Sequence, residues 1–183
     1  MSATNDNTYT TEWLEADADA AEMRARFRDV ERFVSLCREC PRYATSWLCP
    51  PLTEAQVGEI ESYTKARIIA LKIVPDAKFD GHGTELMALC RPTLEQRLLQ
   101  VEKSRPEPAR ACGLSGRCPH CGDTPCARTT GAPCPHPSLA RPSLEAFGFD
   151  VTAIASEVLH TPILWERDGM RPAYYMLVGA VFY

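Results

Sequence analysis

Apolar residues recur at helical intervals through Met23, Phe27, Val30 and Phe33-Val34, inside a stretch rich in Ala, Glu and Arg. That spacing predicts a helix over Asp17–Leu36 whose C-terminal end reaches Cys37. Arg38 to Pro51 carries Pro41, Pro50 and Pro51 and reads as a loop. Thr53, followed by Glu54, Glu59 and Ile60, predicts a second helix capped by the threonine. RIIALKIV, Arg67–Val74, is β-branched and apolar and is closed by Pro75, which predicts a strand buried on at least one face. Lys78 to Gly83 reads as a turn. Leu86, Leu89, Leu94, Leu98 and Val101 then predict a helix over Glu85–Lys103, begun or kinked at Pro92. Arg105 to Pro142 shows no sustained period and is rich in proline. So long a stretch needs a staple to pack in a compact domain.

Ser143–Phe147 reads as a short capped helical turn, and Thr152–Leu159 as a helix. Pro162–Glu166 and Ala173–Tyr183 are apolar and β-prone, with Arg167-Asp168-Gly169 between them, which predicts a hairpin. Together these elements predict an α+β fold. A small, mainly antiparallel sheet built from Arg67–Val74, Pro162–Glu166 and Ala173–Tyr183 packs against helices, and a cysteine-rich loop lobe is pinned by metal. Residues 1–15 are expected to be a flexible N-terminus and 16–183 a single domain. No internal repeat of fixed period is present.

The chemistry lies in the cysteines. Cys37, Cys40 and Cys49 form C-x2-C-x8-C followed by Pro50-Pro51, and Cys118, Cys121, Cys126 and Cys134 form C-x2-C-x4-C-x7-C followed by Pro135. Thiolates are soft donors that select zinc, Cu(I) or iron–sulfur clusters. The second group can supply a complete tetrathiolate. Its closing Cys-Pro is shared with ferredoxin runs, although the inner spacings differ. Gly113, Gly116, Gly122 and Gly131 let backbone amides approach sulfur closely. The first group offers three thiolates, the arrangement of a metal site with an open position. A fourth ligand could come from Cys90, Cys112, His82, His120, His136 or His160. One or two [4Fe–4S] clusters are the favoured cofactor. Zinc is the alternative, its sharpest form a split ribbon of Cys37/Cys40 with Cys118/Cys121, which leaves Cys49, Cys126 and Cys134 unused.

Around these groups, Cys90 lies in LMALC and reads as a buried structural thiol, and Cys112 falls off the spacing pattern. Tyr43 and Trp47 read as covers of the first loop. Arg128, Arg141 and His136 surround the second group, where they would be solvated charges or would attract an anionic small molecule. His82, in Gly81-His82-Gly83, reads as an ordinary loop histidine.

Composition narrows the setting. With 183 residues, 45% of them hydrophobic, the chain can bury a core. A net charge of −4 argues against nucleic-acid or anionic-membrane surfaces. No segment nears the roughly 20 apolar residues of a membrane span, and the polar, acidic N-terminus has no signal-peptide pattern. A cytoplasmic location is therefore expected, where thiols stay reduced, and nine cysteines also suit a disulfide framework poorly. No G-x-G-x-x-G or Walker pattern appears.

The cysteine segments resemble the DUF2284 family of predicted metal-binding proteins. Its pattern opens C-x2-C-x2-Y-G-x2-W-x-C-P-P, matched here by Cys37, Cys40, Tyr43, Trp47, Cys49, Pro50 and Pro51, with Ala44 in place of the glycine. The family's second block is matched by Cys118, Cys121, Cys126 and Cys134 and then by Pro142, Ser143, Glu145, Ala146, Gly148, Asp150 and Val151. Pro135 stands where the pattern carries an arginine. The resemblance runs from Cys37 to the C-terminus and implies metal binding, iron–sulfur above all, with no reaction attached.

Three functions are thus expected. The first is a redox or small-molecule enzyme with an open iron at Cys37/Cys40/Cys49. The second is an electron-transfer module for a redox partner protein, and the third is a zinc-stapled interaction protein.

Overall fold

The structure is a computed structural model and describes residues 8–183. Among the described residues the strands are β1 (Tyr9–Asp19), β2 (Lys65–Pro75), β3 (Arg110–Cys112) and β4 (Tyr175–Phe182). The helices are α1 (Ala20–Phe27), α2 (Val30–Arg38), α3 (Glu54–Ser62), α4 (Gly83–Ser104) and α5 (Val151–Glu157). Short 3-10 turns occupy Ala127–Thr130 and Glu145–Phe147. The strands make one antiparallel sheet in the order β1-β2-β4-β3. The fold is α+β, as the sequence predicts.

β2 and β4 lie at the centre, which explains their near-continuous apolar runs: both faces are covered. On one face Ala66, Ile68 and Ala70 of β2 and Met176, Val178, Ala180 and Phe182 of β4 pack with Met23, Phe27, Phe149 and Ile154. On the other, Ile69, Leu71, Ile73 and Val181 meet the stripe Leu86, Cys90, Leu94 and Leu98 of α4. The period of two in the strands and the near-four spacing in the helix meet in that layer. Gly179 permits the contact, because a Cβ there would sit 2.5 Å from Leu98 Cδ1.

Several elements match the expectations. Thr53 caps α3 in a full capping box with Gln56. The α4 helix forms where expected but does not begin at Pro92: it runs through the proline as one helix, its buried face continuing on both sides. Asp150 caps α5, its carboxylate accepting from the Ala153 amide at 3.0 Å.

Others differ. The tail expected over 1–15 is strand β1 from Tyr9 onward, while residues 1–7 lie outside the described residues. β1 is an edge strand held by its ladder to β2 and by charge pairs: Lys72–Glu12 at 3.1 Å, and Glu15 with both Arg67 (2.7 Å) and Arg97 (2.9 Å). The helix expected over Asp17–Leu36 begins at Ala20 and breaks at Arg28-Asp29, where the Asp29 amide donates to Gly148 O and its carboxylate caps α2. The predicted hairpin does not form. Pro162–Glu166 is not a strand, the turn closes only a single bridge between Arg167 and Met170, and Pro172 lacks an amide to extend it. β4 pairs with β2 and β3 instead. Among the described residues no helix is long and apolar enough to cross a membrane.

Candidate metal centre

α2 ends in the first cysteine loop. Cys37 lies in its last turn, and the chain continues as overlapping turns in which the Cys40 amide donates to Cys37 O (3.0 Å) and the Tyr43 amide to Cys40 O (3.0 Å). Cys37 and Cys40 therefore stand one turn apart. Ala44 follows with φ 59°, a left-handed conformation, and its amide closes the loop by donating to Pro50 O at 2.9 Å. This is the position where the family pattern carries glycine, and the backbone shows why: an L-side chain there strains a conformation glycine takes freely. Ala44→Gly is expected to stabilise the protein by about 0.5–1 kcal/mol, the relief of strain exceeding the added freedom of the unfolded chain. Urea denaturation of the two proteins measures it.

The second loop is built the same way. Turns start from cysteine carbonyls, Thr124 N to Cys121 O at 3.1 Å and Thr129 N to Cys126 O at 3.0 Å. The His136 amide donates to Cys134 Sγ at 3.4 Å, the sort of amide–sulfur contact that steadies a thiolate ligand. The His120 and His136 rings lie 6.4 Å apart beside this group.

Thiol electrostatics sort the cysteines by group. Burial pushes the Cys49 thiol up, and the Cys40 and Cys37 thiols push it further, against Arg128 and Arg42. Burial likewise raises Cys37, with Cys40 and the Glu145 carboxylate adding to it. Cys118 is raised by burial and by Cys121, Cys126 and Cys134, while the His120 amide opposes the shift. Each set thus has its own members as neighbours. This grouping runs against a split ribbon of Cys37/Cys40 with Cys118/Cys121. Among the described residues no three Cys, His, Asp or Glu side chains are drawn close enough to hold a single ion, and all nine cysteines are free thiols.

The two loops are docked on each other. Arg128, between Cys126 and Cys134, donates through Nη1 to Ser46 O (2.8 Å) and Cys49 O (2.5 Å) and through Nη2 to Pro51 O (2.6 Å). Its guanidinium carbon lies 5.2 Å from the centre of the Trp47 ring, and Trp47 Nε1 donates back to Ala132 O at 3.1 Å. Along this seam a cavity of about 340 Å³ is lined by Cys118, Cys121 and Cys126 on one side and by Arg42, Thr45 and Ser46 on the other. Seven soft donors in two sets, an amide aimed at one sulfur and a cavity bordered by thiols fit a thiolate-bound metal or cluster.

The remaining candidates are placed elsewhere. Cys90 and Cys112 are buried in the two cores on either side of the sheet, and burial raises both thiols, Cys112 strongly. His82 occupies the N-cap of α4, and His160 is exposed beyond α5. Arg128 and Arg141 are not loose surface charges. Arg141 is buried and forms a double ion pair with Glu102, Nε–Oε2 at 2.8 Å and Nη2–Oε1 at 2.5 Å. Spacing does not reveal the Arg128–Trp47 clamp or the placement of Glu145 beside Cys37.

A family model described as predicted metal-binding protein (DUF2284) matches residues 25–181, nearly the whole chain. No curated protein and no solved structure matches it.

Proposed function

The chain belongs to the DUF2284 family of predicted metal-binding proteins, and from that premise we propose that it is an iron–sulfur protein carrying one or two [4Fe–4S] clusters. Cys118, Cys121, Cys126 and Cys134 would hold one as a closed tetrathiolate. Cys37, Cys40 and Cys49 would hold the other through three thiolates, leaving one position open to a small molecule. The observation that carries this is the docking of two separate thiol sets across one seam by Arg128.

A bound cluster supplies one-electron transfer and, at an open iron, Lewis acidity. The protein's own part is to hold the donors. Thiols raised by burial and by one another are protonated in the free protein, so ligation releases protons and is favoured as pH rises. The positive charge of Arg128 and Arg42 lies toward Cys49 and opposes the negative charge that thiolates gather there. Trp47, held by Ala132 O, covers the seam. The closed set suits electron relay to a redox partner protein, and the three-thiolate set suits chemistry on a small molecule.

The site-level test is Cys49→Ala with metal analysis. Cys49 is only half-buried in a loop, outside both sheet cores, so the variant is expected to fold. It is expected to lose the metal of the first group and to keep that of the second. Metal content equal to that of the unaltered protein would remove the first group as a ligand set.

A further inference from the structure

A cavity at the edge of the sheet is not bordered by cysteine. It holds about 590 Å³, within the roughly 300–1,000 Å³ of small-molecule sites. Its origin lies in the sheet. β3 pairs with β4 only through Arg110, Ala111 and Cys112, opposite Phe182, Val181 and Ala180. Beyond Cys112 the chain turns away, and Gly113 bridges to Ser143 instead. Among the described residues the edge of β4 from Tyr175 to Val178 therefore has no ladder partner on that side, and all four of those residues line the cavity.

Its chemistry is one-sided. Phe33, Tyr175 and Trp165 supply aromatic walls, and Trp165 is 62% exposed. The charged residues lining it are Glu145, Asp150 and Glu166, with no Lys, Arg or His. Asp150 is met by Arg32 at 3.4 Å. Glu166 accepts a hydrogen bond from the Tyr175 hydroxyl at 2.6 Å and helps hold that phenol protonated, its pKa pushed up to about 12 by burial first and Glu166 second. Among the described residues the Glu145 carboxylate forms no ion pair, and Cys37 is a titratable neighbour of it. The carboxylate stands half-buried in the wall of the cavity, where an ammonium group could pair with it.

We propose that this cavity binds a small molecule with an apolar body and a protonated amine, the amine directed to Glu145 and the body held among Phe33, Trp165 and Tyr175. Carboxylate and aromatic faces act together here, since both attract a desolvated ammonium and both repel an anion. The proposal goes beyond the metal reading: no cysteine lines the cavity, although Glu145 also lies beside Cys37, and the Trp165 variant tests the cavity away from the thiols.

Isothermal titration of the purified protein with phenethylamine, 3-phenylpropionate and 2-phenylethanol tests it. These probes share a body and differ in end-group charge. The amine is expected to bind at least about tenfold tighter than either of the others. Glu145→Gln is expected to weaken the amine by about tenfold and to leave the alcohol unchanged. Trp165→Ala, a change at an exposed position, is expected to weaken the amine several-fold whether or not the first variant folds. No binding of the amine, equal or tighter binding of the carboxylate, or an amine preference untouched by both substitutions would overturn the proposal.

Discussion

Arg128→Met is expected to lower stability by about 3 kcal/mol and to reduce the metal held by both cysteine groups. The guanidinium satisfies three carbonyls of the first loop from within the second, at 2.8, 2.5 and 2.6 Å. Hydrogen bonds from a charged donor contribute about 1.5–3 kcal/mol each when buried, and less here because Pro51 and the outer face of the pair are wet. Methionine keeps the side-chain length and removes every donor. Arg128→Lys is the discriminating control. An ammonium preserves the charge near Cys49 but cannot span three carbonyls with a planar fork, so it is expected to recover only part of the loss. Chemical denaturation and metal content per chain report the two effects separately. Full stability and full metal in Arg128→Met would mean that the loops are held by something other than this clamp.

The second large effect is expected at Arg141. Its partner Glu102 lies near the end of α4 and also accepts the Ala111 amide of β3 at 2.6 Å. One carboxylate thus ties α4, the short edge strand and the segment that follows the second cysteine group. Both side chains are almost closed to water, at 9% and 12% exposure. Removing one partner of such a pair leaves the other charge buried and uncompensated, which costs about 3–5 kcal/mol. Arg141→Met is expected to show that loss in a denaturation midpoint.

The pH dependence follows from the same pair. Burial alone would raise the Glu102 pKa, but Arg141 and the Ala111 amide outweigh it and hold the carboxyl below its ordinary range. A carboxylate depressed on folding contributes stability that is fully present above its unfolded pKa and is lost as pH falls through the folded value. The protein should therefore weaken below the ordinary glutamate range, and Arg141→Met should lose the Glu102 share of that dependence while keeping that of Glu15, which Arg97 and Arg67 also hold down. An unchanged acid limb in the variant would place the titrating group elsewhere.

Local pattern accounts for the parts of the molecule that were legible. Thr53 announces its helix because a capping hydroxyl stands directly before Glu54, Glu59 and Ile60. β2 announces itself because a strand buried on both faces must be apolar throughout. The two cysteine groups stand out in the sequence for the same reason, since each is written within a single short segment. What escaped depends on distant partners. β1 is polar because an edge strand buries little, and its pairing rests on Glu12 and Glu15 finding cations on β2 and α4. Asp29 looks like the interior of a helix until Gly148 O takes its amide. Ile163 and Trp165 have strand-like neighbours but line a cavity. Arg128 reaches a carbonyl 82 residues away, and no spacing rule carries that information. Glu145 comes beside Cys37 only because its 3-10 turn packs on α2.

Seven thiols in two docked loops are, on this account, a holder for inorganic iron. Protein prepared without exposure to air, assayed for iron, acid-labile sulfide and zinc per chain, tests that most directly. Iron and sulfide are expected in equal amounts, about four of each per cluster, with visible absorbance that bleaches on reduction. A well-folded chain carrying no metal, or zinc alone without sulfide, would contradict it.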